Sequence, residues 1–282
     1  MLPTFVIGLR EGLEASLIVG IITAFLVQRD QRSALRPMWV GIGLAVALCL
    51  GAAVALEAIG ASLPSRQREL MEGVLALVAV AGVTYMAVWM KHHAHELKRT
   101  LEAHAATALV SGSALGLVAM AFVAVLREGL ETAIFLLAAF QSSTEPLATG
   151  AGAALGIAVA ICLGYAIFRG GVRINMARFF RVTGFVLVLV AAGLTASAVH
   201  ALAEAGVITV LQQPALDLTW LITPGTITGS LLTGTLGFQP VPTIAELTAW
   251  LVYAVPMVAF VLWPQRRRPA APKPIVPQAE TA

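Results

Sequence analysis

Charge is scarce in this chain. Asp, Glu, Lys and Arg together make up 12% of its 282 residues, roughly half the share of an ordinary soluble domain. Cysteine is nearly absent: Cys49 and Cys162 both fall inside apolar runs. That excludes a disulfide framework and leaves two small packing residues. Met1 to Leu9 has no basic residue and no small-residue cleavage signal, so the N-terminus is expected to begin a span rather than a removable signal peptide. Residues 205–245 contain no Lys or Arg at all. The net charge of +3 gives no case for nucleic acid, because the basic residues follow topology instead. What the chain does have is apolar surface: 59% hydrophobic residues and a mean hydropathy of +0.87. Soluble enzymes are excluded, and an all-α polytopic membrane protein is expected.

A membrane-crossing helix needs about 20 apolar residues at 1.5 Å each. Seven such runs are present, at about 3–27, 38–60, 70–90, 115–140, 149–168, 180–204 and 246–264. The polar stretch 92–107 is expected to extend the fourth helix beyond the bilayer. Loop 28–37 holds Arg29, Arg32 and Arg36, and loop 91–106 holds Lys91, Lys98 and Arg99. Segment 169–181 holds Arg169, Arg173, Arg178 and Arg181, and the tail holds Arg266, Arg267, Arg268 and Lys273. The opposite side has only Arg66 and Arg68. The basic side is cytoplasmic by the positive-inside rule. The N-terminus is then outside and the C-terminus inside. Residues 265–282 are Pro- and Ala-rich and read as a disordered cytoplasmic tail. The rest, 1–264, forms a single transmembrane domain.

Two of the apolar runs carry the same five residues: Arg10-Glu11-Gly12-Leu13-Glu14 and Arg127-Glu128-Gly129-Leu130-Glu131. A charge at the centre of a membrane helix costs about 2.5–3.5 kcal/mol on insertion scales. On a helix, Glu11 and Glu14 share a face, as do Glu128 and Glu131, and each Arg reaches the second Glu of its copy four residues on. Gly12 and Gly129 leave room beside the carboxylates for close helix approach. Two carboxylates about 6 Å apart repel by roughly 3 kcal/mol at an effective dielectric of 20. A multivalent cation removes that conflict, and oxygen-only ligands favour a hard one. Four Glu and two Arg sum to −2, which suits a cargo of charge two or three. Arg-Glu pairs can also simply glue helices together. Two copies, each with an acid beyond what its Arg neutralises, point instead to an ion pathway.

The motif belongs to a longer repeat. Repeat one covers about 1–91 and repeat two about 107–204, with the seventh helix at about 246–264 outside both. Phe5-Val6 matches Phe122-Val123, and Gly82-Val83-Thr84 matches Gly193-Leu194-Thr195. Gly43 to Gly51 matches Gly156 to Gly164, a register that aligns the two cysteines. Three crossings per unit make the second copy enter the membrane inverted. Such 3+3 repeats commonly hold a transporter's substrate near the midplane.

Other acids and imidazoles lie near the helix ends. Glu57, Glu69 and Glu72 fall at the outer ends of the second and third helices. His200 and Glu204 are four apart on one outer helix face. All five are candidates for cation capture, with solvated helix ends as the plainer reading. His92, His93, His95 and Glu96 follow the third helix on the cytoplasmic side and are candidates for an exit, or a polar helix end at the headgroups. Asp217, the lone acid of 205–245, fits turn chemistry.

The paired Arg-Glu-Gly-Leu-Glu motif resembles the hallmark of the high-affinity iron permease family, which includes the oxidase-dependent ferric permeases of fungi and the EfeU-type permeases of bacteria. Further stretches are similar to that family: Leu63-Pro64 through Glu69 to Glu72-Gly73, Trp89-Met90, His200 to Gly206, and Gly229 through Gly237-Phe238 to Pro242 and Glu246. The resemblance covers about residues 1–264. It implies iron as cargo and no tightly bound cofactor. It implies Glu11, Glu14, Glu128 and Glu131 as translocation ligands, with Arg10 and Arg127 balancing their charge. A ferric ion would pass, formed from ferrous iron by a periplasmic iron-binding, ferroxidase or peroxidase-type partner. The long acidic loop of fungal members is not evident, which favours the bacterial subgroup and an inner-membrane location. Two alternatives stay open. One is transport of another divalent metal such as manganese or lead. The other is a membrane-embedded di-iron oxidase, against which stands the lack of a His in either copy, since di-iron bundles use Glu-x-x-His.

Overall fold

A chain in hydrocarbon satisfies its peptide groups only within helices or closed barrels, and here the long apolar runs become helices. The computed structural model describes residues 1–28, 30–93, 114–143, 145–170, 176–220, 222, 233, 236, 237 and 239–263. Among them are seven α-helices and no β-strand. They are α1 (Leu2–Gln28), α2 (Leu35–Ser62), α3 (Ser65–His93), α4 (Ala114–Gln141), α5 (Pro146–Phe168), α6 (Met176–Glu204) and α7 (Ile244–Leu262). Five of these, α2, α3, α5, α6 and α7, are long and apolar enough to cross a membrane. The remaining two, α1 and α4, are of similar length but carry the three ionisable residues of each motif. The expected extension over 92–107 and the tail 265–282 lie outside the described residues, apart from His92 and His93 at the end of α3.

The helix ends follow local chemistry. Leu63 is extended before Pro64, which stops α2. Pro146 opens α5 in its first turn. At the end of α6, Gly206 takes a φ of +74° and Val207 N donates to Leu202 O at 2.9 Å, a left-handed C-terminal cap that favours glycine. Thr243 and Glu246 form a reciprocal capping box at the start of α7.

Helix α1 packs along α5, and α2 along α4. Each half thus lends its middle helix to the first helix of the other half. Helices α1 and α4 meet at the centre, α3 packs on α6, and α7 joins α6. Small residues set the approach. A Cβ at Gly156 would overlap the carbonyl oxygen of Phe5 and come 2.8 Å from Leu9 N, and one at Gly8 would come 2.8 Å from Ala153 O.

The matching pair shows where the repeat's register truly lies. Gly41 meets Val118 as Gly152 meets Met1, and Cys49 meets Gly129 as Ala160 meets Gly12. The counterpart of Cys49 is therefore Ala160. Cys162 is exposed, and Gly43 and Gly51 have open space around them. The sequence match of 43–51 with 156–164 is thus two residues out of step with the packing, because small apolar runs align at several offsets while only one offset faces the neighbouring helix.

The segment between α6 and α7 packs in part against α6. Its flanks pair with each other: Ala215 N donates to Pro242 O at 2.9 Å and Leu218 N to Pro240 O at 2.8 Å. Between them Gly237, at φ +65°, lies directly against Gly193 in α6. Gly193 is about 16 Å down the axis from Glu204, at 1.5 Å per residue. Gly237 is therefore placed well below the end of α6, and the indole N–H of Trp250 donates to the neighbouring Leu236 O at 2.9 Å. Irregular backbone at such depth is tolerated where protein surrounds it.

Candidate metal-translocation site

The two motifs meet at the α1–α4 contact. Carboxylate oxygens of Glu11, Glu128 and Glu131 all lie within 4.8 Å of one another. Glu14 stands close enough to repel Glu131 and Glu128. Each pair of ionised groups at 4.8 Å costs about 3.5 kcal/mol at an effective dielectric of 20. Within each helix the Arg reaches its own acids as the spacing predicts. Arg10 Nε lies 3.3 Å from Glu14 Oε1 and its Nη1 3.4 Å from Glu11 Oε1. Arg127 Nε lies 3.1 Å from Glu131 Oε1 and 3.8 Å from Glu128 Oε1.

These pairs leave acceptors over. Among the described residues, the buried carboxylate oxygens with neither a hydrogen bond nor an ion pair include Glu11 Oε2 and Glu128 Oε2. Buried polar atoms normally find partners, so a structural glue would satisfy them. Unpartnered carboxylate oxygens on two helices whose acids converge within 4.8 Å fit a cation that strips its water.

The copies are not equal. Arg10 is 2% exposed and Glu11 fully buried, whereas the Arg127 side chain is 48% exposed and that of Glu131 25%. The guanidinium of Arg127 stacks over the Trp89 ring of α3 at 5.8 Å, a cation–π contact. In the sequence Trp89 stands out only through the family-like pair Trp89-Met90, and its contact with Arg127 depends on how α3 meets α4. The motif copy on α4 is the more open, and Arg127 is the freer of the two cations to leave its glutamates.

Above the cluster lies an apolar layer with Ile7, Phe135, Leu187 and Leu194 among its buried residues. Above that, a cavity of about 60 Å³ is lined by Thr4, Ser142, Thr149, Ser197, Thr233 and Gly237, among others. Thr4, Ile7 and Glu11 are spaced three and four apart, so one face of α1 carries cavity, apolar layer and carboxylate in turn.

The outer candidates separate. Glu72 pairs with Arg68 at 2.9 Å, and Glu57 is exposed on α2. His200 Nε2 lies 3.4 Å from Glu204 Oε1, and its Nδ1 lies 2.9 Å from Glu246 Oε1 of α7, while Glu69 neighbours Glu204. The side chains of His92 and His93, and residues His95 and Glu96, lie outside the described residues. Asp217 Oδ1 accepts from Thr219 N at 3.0 Å and Thr219 Oγ1 at 2.6 Å, and those bonds hold its carboxyl below the usual range.

Fold and site together define a helical multi-pass membrane protein with a buried carboxylate cluster. The chain belongs to the Iron permease FTR1 family, whose profile matches residues 1–266. It is 40% identical over 271 residues to the protein named ferrous iron permease EfeU of Escherichia coli O6:H1 (strain CFT073), covering 94% of this chain and 97% of that one. It is also 40% identical over 268 residues to the ferrous iron permease EfeU of Yersinia pestis, covering 94% and 95%. No solved structure is significantly similar to it. These relatives carry the name of a transporter, not of an enzyme.

Proposed function

We propose that this protein imports iron across the bacterial inner membrane through seven spans, with its N-terminus outside and its tail in the cytoplasm. Glu11, Glu14, Glu128 and Glu131 replace the ion's water, and Arg10 and Arg127 balance and compete for those carboxylates. The observation that carries this reading is the convergence of Glu11, Glu128 and Glu131 from two separate helices with buried oxygens left over. The crossed pairing of α1 with α5 and α2 with α4 supports an inverted repeat, which rocks about the site to expose it to either side. Charge supports the same reading: α1 and α4 bring four acids against two arginines.

The ion in transit is ferric on this reading, since hard trivalent iron suits all-oxygen ligands. A periplasmic ferroxidase or peroxidase-type partner would form it from ferrous iron. The relatives' name, ferrous iron permease, favours a second reading in which ferrous iron passes unchanged. Radiolabelled iron flux into liposomes holding the purified chain decides between them, run for each valence with manganese and lead as competitors and with an imposed pH gradient. Flux of ferric ion alone supports the first reading, flux of ferrous ion under anaerobic conditions the second. Absence of iron flux alongside flux of another metal would remove both.

A further inference from the structure

Phe135 is the largest side chain buried in the apolar layer between the carboxylates and the outer cavity. Along α4, Glu128, Glu131, Phe135, Ala139 and Ser142 succeed one another at spacings of three and four, so they share one face. Glu128 and Glu131 belong to the carboxylate cluster, and Ala139 and Ser142 line the cavity. Phe135 stands between the two, about 6 Å along the axis from Glu131 and from Ala139 at 1.5 Å per residue. The same order runs along α1: Thr4 lines the cavity, Ile7 is buried, and Glu11 joins the cluster. Leu194 of α6 lines the cavity and packs in one cluster with Ile7 and Phe135.

An ion that leaves the hydroxyls of the cavity therefore meets hydrocarbon before it meets a carboxylate. Ile7, Phe135 and Leu194 offer a cation no oxygen, and a hydrophobic constriction of this kind shuts by excluding water. The seat of the ring lies on the other repeat. A methyl added at Gly82 of α3 would come 2.9 Å from Phe135 Cε1 and 3.1 Å from its Cζ, so the tip of the ring rests against a bare stretch of α3. Movement of one repeat against the other would separate Gly82 from Phe135. Away from this layer the cluster is less enclosed. Arg127 is half-exposed, Glu131 is a quarter exposed, and Arg127 stacks over Trp89, four residues before the end of α3 that the proposed topology sets in the cytoplasm.

We propose that Phe135, packed with Ile7 and Leu194, is the outer gate of the translocation path. The hydroxyl-lined cavity is the vestibule outside it, and the structure has this gate shut while the Arg127 side is the more open. The ring passes an ion only when rocking of the repeats withdraws Gly82. The inference deepens the iron-import reading and rests on it, but the state of the gate can be read without transport.

The test is thiol access in right-side-out membrane vesicles holding the full chain with Cys49→Ala and Cys162→Ala. Ala160 already fills the place equivalent to Cys49 in the other repeat. A membrane-impermeant, positively charged methanethiosulfonate is added outside. Ser142→Cys, above the layer, is expected to react fast, and Glu11→Cys, below it, slowly. Adding Phe135→Ala should speed the reaction of Glu11→Cys at least about tenfold, equal to ~1.4 kcal/mol off the entry barrier. Phe135→Leu keeps the layer apolar and should leave it slow, as should Val188→Ala, a buried truncation outside this cluster. Gly82→Ala keeps the ring but pushes its tip from the seat; it should also speed the reaction, and it decides if the Phe135→Ala chain does not reach the membrane. Unchanged rates with the ring removed or unseated overturn the gate, as does Glu11→Cys reacting as fast as Ser142→Cys while Phe135 is intact. Radiolabelled iron flux is read separately: its absence in the unaltered chain, with the expected thiol pattern, counts against import and leaves the gate standing.

Discussion

Gly156 offers the sharpest test of how the helices set the site. Its α-carbon lies against the backbone of α1, so the methyl of Gly156→Ala would overlap the carbonyl oxygen of Phe5 and crowd Leu9 N at 2.8 Å. Neither atom belongs to a side chain that can turn away, so α1 and α5 must separate, by on the order of 1 Å, to reach ordinary contact distance. Overpacking of this kind costs about 1–3 kcal/mol. Glu11 is on the same helix two residues beyond Leu9, and its oxygen is one of three within 4.8 Å. Metal–oxygen bonds tolerate about 0.2 Å, so a displacement on the order of 1 Å removes Glu11 from a shared ion. Iron uptake by proteoliposomes should fall at least about tenfold, the factor for ~1.4 kcal/mol of lost ion affinity, with a lower Tm in detergent. Gly43→Ala is the counter-experiment: open space surrounds Gly43, and Ala is favoured over Gly in a helix by up to about 1 kcal/mol. That variant should keep uptake and hold or raise Tm. Wild-type uptake and Tm in Gly156→Ala would refute the argument.

The two arginines should behave differently. Arg10→Gln strands buried carboxylates and is expected to cost about 3–5 kcal/mol, while the half-exposed Arg127 costs less when replaced by Gln; thermal unfolding of the two variants compares them. Tyr253→Phe removes the bond between the Tyr253 hydroxyl and Thr84 Oγ1 at 2.9 Å and should lower stability by about 1 kcal/mol without changing iron uptake. Gly193→Ala places a methyl 2.8 Å from Gly237 N and should push Gly237 off α6, read as faster proteolysis between α6 and α7.

Much of this architecture is legible in the residues. The apolar runs at 3–27 and 180–204 become Leu2–Gln28 and Met176–Glu204. The run at 70–90 begins five residues late, because Ser65 to Glu69 are mostly polar yet belong to α3. Helical spacing put each Arg beside its second Glu, and the distances agree. What periodicity could not carry is anything set by the neighbour across the contact. The greater exposure of Arg127, its stacking on Trp89 and the pairing of Cys49 with Gly129 all depend on which face meets which. The contact of Gly237 with Gly193 could not be read from the residues, since neither glycine stands out from the other small residues around it. Glu246 stands out in the sequence only as the end of a family-like stretch, and its contact with His200 depends on α7 meeting α6.

The claim that matters most is that acids from α1 and α4 jointly hold the travelling ion, and the most direct measurement is iron flux into liposomes for chains carrying Glu11→Gln, Glu128→Gln or Glu131→Gln one at a time. Each variant is expected to drop to the level of empty liposomes while helix content by circular dichroism stays unchanged. Flux near that of the unaltered chain in any properly inserted variant would show that the two motifs do not share the ion.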